Sequence, residues 1–414
     1  MESIGKTIYS IYFTILMLSK RFNPFNPQMP ARPAFFVGRE PEILEFERFL
    51  SQTMHGSPMN MSITGNRGMG KTSILIKFEQ IARGNECLVL RLSNYEGNVS
   101  NTVELADYIS TNLKREIIVN KKLGEEVERL KGFVASIKPT FSFGEFGVTI
   151  EREQIVQELF RSRLLKLWEN MKDEYKACVI LIDEAESLER VEGALILLRE
   201  VFQRLSTDAK FMIVLAGKLN FPERMSESFS PLNRFFSCSV LKPFSEDEIA
   251  RYMQNQLGLV DVKIDASALT FISKKSEGHP YVLVAMCFMI FDSLRESDQK
   301  ITEQIVINTQ EKMYLRLAQD FFSPMMHPLT PKGKTVLQSI VKNVDGIEFN
   351  FKEAIKWTGM PRNHVSPYIH EMMRKGILNK LERGRYQIFH GLFADYIREM
   401  ATEVARAAKL LDYS

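Results

Sequence analysis

The chain has 414 residues, which is too long for one average domain and indicates two or three. Its 45% hydrophobic and 25% charged residues are typical of a soluble globular protein that buries sizeable cores, and not of a disordered chain. The net charge is +3, and residues 330–414 carry 14 Lys/Arg against 9 Asp/Glu. This excess favours an anionic partner for the C-terminal part, although an ordinary solvated surface is equally compatible. The four cysteines lie far apart without a CxxC pair, so we infer buried free thiols and neither zinc nor disulfides.

The first elements in chain order are an apolar segment and a linker. Residues 8–18, IYSIYFTILML, are fewer than the about 18–20 apolar residues that a membrane span needs. Three interpretations stay open for residues 1–20: a helix docked on its own protein or on a partner, a shallow membrane anchor formed by residues 7–18, and a disordered start. Residues 21–36 are rich in Pro and Asn, which predicts an extended linker.

Apolar strands then alternate with amphipathic helices over residues 37–243. We expect strands at 61–64, 87–92, 177–183, 210–217 and 237–243. We expect helices at 44–50, 71–82, 101–118, 153–171 and 191–205. This alternation predicts a parallel sheet covered by helices on both faces. Residues 135–153 alternate apolar and polar residues around a Gly-Glu-Phe-Gly turn, which predicts an inserted β-hairpin.

The pattern changes after residue 244. Residues 244–322 predict a helical lid, which opens with Ser245 and Glu248 spaced as a capping box. Residues 323–414 predict a separate domain that begins with helices at 333–343, 351–358 and 362–375. A hairpin at 377–390 that closes at Arg383–Gly384, and a last helix from Leu392 to about Lys409, complete it. Three helices plus a hairpin predict a winged helix, a relative of the helix-turn-helix.

A phosphate-binding loop is predicted between the first strand and the first helix of this alternation. MSITGNRGMGKTS, residues 61–73, fits G-x-x-x-x-G-K-[ST]. In such a loop the glycines let backbone N–H groups converge on phosphate oxygens, Lys71 places a charge at the β- and γ-phosphates, and the Thr72 hydroxyl binds Mg²⁺. The pattern therefore predicts ATP or ADP as cofactor together with Mg²⁺, and a cytoplasmic location. The predicted contact residues are Gly65, Asn66, Arg67, Gly68, Met69, Gly70, Lys71, Thr72 and Ser73.

An acidic pair follows a buried strand in CVILIDEAESL. Asp183 is expected to complete the Mg²⁺ site with Thr72, and Glu184 is placed to polarise an attacking water. Two carboxylates after a buried strand are costly unless they face a cleft or a metal. A chain that only binds nucleotide needs no second carboxylate, so the pair predicts ATP hydrolysis.

Two basic residues complete the predicted catalytic set. The strand at 210–217 is expected to lie between the phosphate-loop strand and the strand that ends at Asp183, so Lys218 at its end is a candidate sensor of the γ-phosphate. Arg234 is a candidate arginine finger, within the chain or across a subunit interface, and Arg224 is the competing choice.

The order of these motifs resembles one family. FFVGREPEI, the phosphate loop, LIDEAE, SEGHPYVL at 276–283 and a winged helix occur as in the STAND class of AAA-related P-loop ATPases, close to the archaeal-type ATPases. The resemblance covers roughly residues 22–400. It implies an α/β P-loop NTPase core of AAA/ASCE type, then a helical lid and a winged-helix domain. It also implies that Val37, Gly38 and Arg39 lie against the adenine, that Gly278, His279 and Pro280 lie against adenine and ribose, and that His390 reaches the β-phosphate of ADP.

The family implies a slow regulatory switch, in which ADP holds the winged helix on the core and ATP releases it for assembly or control of a partner. The partner is then a separate protein, a nucleic acid or another copy of the chain. The alternative is a DNA-binding AAA ATPase, similar to initiators or transposition regulators, whose winged helix contacts double-stranded DNA. Its DNA contacts are predicted at Arg362, His364, His370, Arg374, Lys375, Arg383 and Arg385. A third hypothesis is a structural nucleotide-binding module without turnover.

Overall fold

The computed structural model describes residues 22–31, 36–92, 99–120, 149–228 and 230–400. The chain divides into two compact units. The sheet unit is Arg32–Lys242, and the helical unit is Met1–Ala31 together with Pro243–Ser414. The predicted N-terminal apolar helix, residues 1–20, lies outside the described residues, which begin at residue 22. None of the helices in the described ranges combines the length and the apolar character that crossing a bilayer requires.

The sheet unit alternates strands and helices as the sequence predicts. Its described strands are β1 (Asn60–Thr64), β2 (Leu88–Leu92), β3 (Cys178–Ile182), β4 (Phe211–Gly217) and β5 (Phe236–Val240). Its described helices are α1 (Glu40–Met54), α2 (Lys71–Gly84), α3 (Thr102–Asn120), α4 (Thr149–Glu169), α5 (Ala194–Leu205), α6 (Phe221–Ser228) and α7 (Leu232–Phe235). A short 3-10 helix, Ala185–Arg190, follows β3.

The strands form one parallel sheet in the order β2-β3-β4-β1-β5. The predicted place of β4 between β1 and β3 is confirmed. Since the carboxyl ends of parallel strands meet at one edge of a sheet, the segments that follow β1, β3 and β4 emerge side by side. These segments carry the predicted phosphate loop, the acidic pair and Lys218.

Helices cover both faces of this sheet because the strands are apolar on both faces. Val179 and Leu181 of β3 belong to one hydrophobic cluster with α1 and α2, in which the rings of Phe46 and Phe78 stack at 4.1 Å. Ile180, the residue between them, belongs to a second cluster with α3, α4 and α5. Successive residues of a strand point to opposite faces, so the two clusters lie on opposite sides. The predicted sheet with helices on both faces is therefore confirmed.

Three sequence predictions in this unit need correction. Helix α4 begins at Thr149, so residues 149–153 of the predicted hairpin are helical, whereas 135–148 lie outside the described residues. Helix-forming Glu and Gln residues, and buried apolar residues spaced by four along α4, outweigh the alternating pattern there. The fifth strand ends at Val240 rather than at 243. Cys238 is exposed, because β5 is an edge strand, while the other three cysteines are buried.

The helical unit contains the helices that the sequence predicts and additional short strands. Its helices are α8 (Glu246–Gly258), α9 (Ala266–Ser276), α10 (Pro280–Asp292), α11 (Glu303–Leu317), α12 (Ser323–Met326), α13 (Pro331–Asn343), α14 (Phe351–Thr358) and α15 (Arg362–Arg374). Its strands are β6 (Lys263–Ile264), β7 (Lys300–Ile301), β8 (Glu348–Asn350), β9 (Leu378–Glu382) and β10 (Arg385–Ile388). The capping box of Ser245 and Glu248 is present at the start of α8. The pair β6–β7 corrects the expectation that strands stop at residue 244.

The C-terminal part of this unit combines α13, α14 and α15 with a three-stranded sheet in the order β8-β10-β9. The predicted hairpin is the antiparallel pair of β9 and β10, and it turns at Arg383–Gly384. Strand β8 adds to its other side and is not foreseen from the sequence. Residues 391–400 are helical, in agreement with the start of the predicted last helix.

One hydrophobic core runs through the described part of the helical unit. A single cluster of buried residues extends from Ile249 in α8 to Ile397 in the last helix. The predicted boundary at 322/323 falls inside a continuous helical run over 303–326, and Phe321 and Phe322 are buried there. The predicted lid and the predicted winged helix are thus packed as one body.

Residues 22–31, predicted as a linker, are non-helical and belong to this same unit. Phe25 is 1% exposed, and its ring contacts those of Tyr252 and Phe291. The Asn23 amide donates to the carbonyl oxygen of Phe288 and to the carboxylate of Asp292, both at 3.0 Å. This stretch therefore anchors the start of the described chain to the helical unit.

Candidate nucleotide site

The loop between β1 and α2 has the backbone conformation that an anion-binding loop needs. Gly68 and Gly70 have φ angles of 80° and 89°, a region that side chains rarely adopt. Helix α2 begins at Lys71, directly after Gly70, and no side chain caps it. The first N–H groups of a helix have no intrahelical partner and carry its positive dipole end, so this loop presents donors to an anion.

Lys71 is held at the base of this loop. Its Nζ donates to the carbonyl oxygens of Gly65 at 2.8 Å and Asn66 at 2.9 Å. Burial lowers the pKa of the Lys71 ammonium, and the nearby carboxylates of Glu186 and Asp183 oppose this shift. The loop therefore contains a half-buried ammonium whose charge is stabilised by the acidic residues that follow β3.

The two predicted metal ligands are brought together. The Thr72 hydroxyl donates to Oδ2 of Asp183 at 2.6 Å, and the backbone N–H of Glu184 donates to its Oδ1 at 2.9 Å. Asp183 is 6% exposed at the end of β3. No group of three or more potential His, Cys, Asp or Glu ligands occurs among the described residues. One hydroxyl and one carboxylate fit Mg²⁺, which keeps most of its waters and binds few protein ligands.

Glu184 lies beside this pair in a strained backbone conformation. It is exposed and has a φ of 52°, which is costly for a residue with a side chain. Its carbonyl oxygen accepts hydrogen bonds from the N–H and the hydroxyl of Ser187, at 2.9 and 2.7 Å. These bonds hold the backbone of Glu184, so its carboxylate projects from a defined position at the sheet edge.

Two further acidic residues near the site are missed by the sequence analysis. Glu186 lies 3.3 Å from the ammonium of Lys218, the predicted γ-phosphate sensor, and Glu189 pairs with Arg224. Glu186 Oε2 and Glu189 Oε1 are buried without a hydrogen-bond partner. Burial raises the pKa of Glu189, and Arg224 opposes that shift. The sequence signal for this cluster is the spacing of three residues between Glu186 and Glu189, which places both side chains on one face of the 3-10 helix.

The remaining predicted residues of the sheet unit lie around the loop with different exposures. Met69 is buried in the cluster with α1 and α2, whereas Arg67 is exposed and Ser73 is half-buried. Arg234 is exposed on the short helix α7, so its part as an arginine finger stays a prediction. Arg224 is engaged by Glu189, as described above.

The predicted adenine segment, residues 37–39, is largely buried beside the loop. Gly38 and Arg39 are buried with φ angles of 76° and 69°. The Arg39 guanidinium donates to the carbonyl oxygens of Lys242 at 2.5 Å and Met69 at 3.1 Å. Its polar atoms thus contact backbone near the loop. Val37 is half-buried, and the contact of all three residues with adenine stays a prediction.

The Gly278-His279-Pro280 motif lies in the helical unit at the start of α10. Gly278 has a φ of 69°, and a Cβ there would lie 2.2 Å from the carbonyl oxygen of Phe244. His279 is the N-cap of α10, where its ring accepts from the N–H of Val282, and Pro280 is the first residue of the helix. The local structure therefore explains why glycine, histidine and proline occupy these three positions. Their contact with adenine and ribose stays a prediction.

Replacing Gly278 with alanine is expected to destabilise the helical unit by about 2–5 kcal/mol, because a strained φ and a backbone clash add together. Gly384 is the matched control, since its φ is 80° but a Cβ there meets nothing within 4 Å. Its alanine variant is expected to lose only about 1–2 kcal/mol. Urea unfolding of both variants checks this, and equal losses would contradict the close packing on Phe244.

His390 is fully engaged inside the helical unit. It is 1% exposed, and its Nε2 donates to the carbonyl oxygen of Ser276 at 3.0 Å, while its Nδ1 accepts from the N–H of Leu392 at 3.1 Å. Glu277 accepts from the N–H of Gly391 at 2.9 Å. His390 therefore joins the end of α9 to the start of the last helix, and its predicted contact with a β-phosphate stays a prediction.

Protonation of His390 is expected to destabilise the helical unit. Burial lowers the pKa of His390 below its ordinary value of 6.5, although the charges of Glu277 and Asp395 and the Ser276 carbonyl oppose this. The ring of His279 also faces it. Because the unfolded chain takes up this proton near pH 6.5 and the folded chain only at lower pH, the stability is complete above 6.5 and is lost as the pH falls below it.

Thermal unfolding between pH 7.5 and pH 5, a range around the ordinary histidine pKa, checks this expectation. The midpoint of the wild type is expected to fall more steeply than that of His390→Gln, which cannot be protonated there. His370→Gln is the control, since His370 is exposed on α15, and its slope is expected to match the wild type. Equal slopes for the wild type and His390→Gln would show that another group governs the acid sensitivity.

Comparison with known proteins agrees with this fold. Residues 36–217 match the AAA ATPase domain family. A relative from Methanocaldococcus jannaschii, described as an uncharacterized HTH-type transcriptional regulator, is 24% identical over 359 residues, which cover 82% of this chain and 83% of the relative.

Two solved structures are similar over nearly the whole chain. A Walker-type ATPase of Pyrococcus abyssi has a TM-score of 0.61 at 14% identity and covers 91% of this chain and 99% of its own. The ORC2 protein of Aeropyrum pernix, in ADPNP–ADP complexes, has a TM-score of 0.58 at 13% identity, with 92% and 98% covered. The chain therefore has the fold of the AAA P-loop ATPases.

Proposed function

We propose that this protein is a Mg²⁺-dependent AAA-type ATPase that binds and hydrolyses ATP. The observation that carries the proposal is the 2.6 Å hydrogen bond between the Thr72 hydroxyl and Asp183, which joins the phosphate loop to the acidic pair. The strand order brings the two segments to one edge of the sheet, and this bond brings their side chains into contact. The matched AAA ATPase domain over residues 36–217 supports the same conclusion.

The residues of the site have distinct parts in this reaction. The loop N–H groups and the Lys71 ammonium would bind the phosphates, and Thr72 and Asp183 would hold Mg²⁺. When bound, Mg²⁺ neutralises charge on the phosphate oxygens and orients them. Glu184 accepts a proton from the attacking water, and its exposed position after β3 leaves it accessible to solvent. Lys218 stabilises charge on the γ-phosphate, and Glu186 positions the ammonium of Lys218 for this contact.

The nucleotide state of this site controls the helical unit in the manner of a STAND-type switch. The common core of that unit supports this proposal, because a body with one core responds to the nucleotide as a whole. A switch of this kind requires that ADP and ATP differ in free energy of interaction with the two states of the helical unit. Its output is assembly with a protein partner or with further copies of the chain.

DNA binding by the C-terminal part is the second candidate function. The Methanocaldococcus jannaschii relative is described as HTH-type, and Arg362, His364 and Arg374 are exposed on one helix, α15. Arg385 of the hairpin is a weaker candidate for phosphate contact, because Glu348 and Glu382 already pair with it. A double-stranded DNA partner would thus meet α15 first.

One experiment separates these proposals. The ATPase rate is measured with and without duplex DNA, alongside the particle mass in ADP and in ATP. Mg²⁺-dependent turnover with assembly in ATP alone supports the switch, whereas DNA stimulation that disappears at high salt supports DNA binding. A chain that binds ATP without turnover in either condition would contradict the proposed ATPase and favour a structural nucleotide-binding module.

A further inference from the structure

The phosphate loop is joined to the segment through which the chain leaves the sheet unit. The N–H of Leu241 donates to the carbonyl oxygen of Thr64 at 2.7 Å, immediately before the loop. A Cβ added to Gly65 would lie 3.3 Å from the Cβ of Leu241, which is tight contact. Lys242 is the last residue of the sheet unit, and Pro243 is the first of the helical unit in this direction. The loop and this exit segment are therefore packed directly on each other.

Arg39 adds a second connection between the same two segments. One amino group of its guanidinium donates to the Lys242 carbonyl and the other to the carbonyl of Met69, which lies inside the loop. Arg39 is 5% exposed and has a left-handed backbone, with a φ of 69°. Because the guanidinium is planar and rigid, donors on both of its amino groups fix the two carbonyls relative to each other. A strained backbone conformation of this kind persists only where the surrounding contacts hold the residue in place.

We infer that Arg39 is a positioning residue that transmits the conformation of the phosphate loop to the exit segment at Lys242, and thereby couples the nucleotide to the helical unit. This inference rests on the proposed switch, and it identifies the residue that would couple the nucleotide site to the helical unit. It differs from the part that the family resemblance implies for Arg39, which is contact with the adenine. The difference follows from the two backbone carbonyls that its donors meet.

The geometry explains how a change in the loop reaches Lys242. The Met69 carbonyl lies between Gly68 and Gly70, and glycine backbones adopt more conformations than other residues, so we expect phosphate binding to change its orientation. Arg39 follows that carbonyl and moves the Lys242 carbonyl with it. Lys242 precedes a proline, which restricts its backbone, and the proline ring fixes the next φ. The backbone of the exit segment therefore has few alternative conformations, so a movement of Lys242 is passed on to the residues that follow.

The test compares Arg39→Lys with the wild type. A lysine carries the same charge on a single amino group and cannot hold both carbonyls in the same fixed geometry. Amide hydrogen exchange of α8 is measured in ADP–Mg²⁺ and in ADPNP–Mg²⁺, together with the affinity for each nucleotide and the melting temperature. We expect a lower melting temperature, because a buried carbonyl loses its donor, and a difference in exchange between the two nucleotides, each measured at saturation, that is reduced at least about fivefold.

Arg48→Lys is the matched control for this variant. Arg48 lies on α1 with its guanidinium 5.0 Å from the centre of the Phe49 ring, outside the loop, and its variant is expected to keep the full difference. Arg39→Lys with the full difference would overturn the inference. So would a large loss of affinity for both nucleotides with the difference intact, which is the result expected of a residue that contacts the base.

A second variant leaves Arg39 and the loop unchanged. Pro243→Gly gives the exit segment the freedom that the proline removes. It is expected to bind both nucleotides like the wild type and to lose the exchange difference in α8, as Arg39→Lys does. Retention of the full difference in Pro243→Gly would overturn transmission through Lys242. A wild type that binds both nucleotides and shows no difference would instead contradict the proposed switch itself.

Discussion

Replacing Lys71 with alanine is expected to lower the affinity for ATP and for ADP at least about 100-fold, because hydrogen bonds to charged groups contribute about 1.5–3 kcal/mol each and Lys71 supplies more than one. Its ammonium is half-buried at the base of the loop and bonded to the carbonyls of Gly65 and Asn66. It thus lies near the N-terminus of α2, where we expect the phosphate oxygens to bind. Isothermal titration with each nucleotide measures the loss.

Two further variants make the Lys71 result specific. Lys71→Met keeps most of the length of the side chain without its charge and is expected to lose affinity to the same extent. Lys77→Ala removes a lysine of the same helix that bonds to Gln80, and it is expected to bind as the wild type does. If Lys71→Ala kept the ADP affinity of the wild type while its melting temperature was unchanged, the loop would not be the phosphate site.

Replacing Glu184 with glutamine is expected to lower the rate of ATP hydrolysis by about 100- to 10,000-fold, the usual contribution of a general base. The affinity for ATP is expected to change little. Glutamine has nearly the same shape but cannot accept the proton of the attacking water at neutral pH. The metal pair Thr72–Asp183 does not involve the Glu184 side chain, so Mg²⁺ and phosphate binding survive. Single-turnover hydrolysis and titration of ATP measure the two properties separately.

Glu192→Gln is the matched control for this prediction. Glu192 is exposed beyond the 3-10 helix that follows Glu184, and its variant is expected to hydrolyse ATP at the wild-type rate. Wild-type turnover in Glu184→Gln would assign the activation of water to another group. The candidate for that part would then be Glu186, which lies two residues further on and pairs with Lys218.

The architecture of the sheet unit could be predicted because its strands are buried on both faces. Continuous apolar runs such as CVILI in β3 are detectable without any tertiary information, and the strand order follows from the expected class of fold. The packing of the helical unit could not be predicted in the same way. The burial of Phe25, and of Phe321 and Phe322 at the expected domain boundary, depends on residues far away in the chain.

Some residues of the candidate site could likewise be predicted from the sequence, and others could not. Lys71, Thr72 and Asp183 are predictable because the chemistry of phosphate and Mg²⁺ binding restricts the residue types that can serve. The contacts of Arg39 are not, because its partners are backbone carbonyls, which leave no trace in residue identity. Glu186 could have been predicted from the sequence, since its spacing from Glu189 places the two side chains on one face of a short helix.

The Mg²⁺ dependence of ATP affinity tests the central claim most directly, because that claim assigns Thr72 and Asp183 as the residues that would hold the metal ion. Titrations with and without Mg²⁺ are compared for the wild type, Thr72→Val and Asp183→Asn. The wild type is expected to gain at least about tenfold in ATP affinity from Mg²⁺, which is 1.4 kcal/mol of coupling. Both variants are expected to lose that gain. A full gain retained in either variant would contradict the account, because the metal would then be held by other residues.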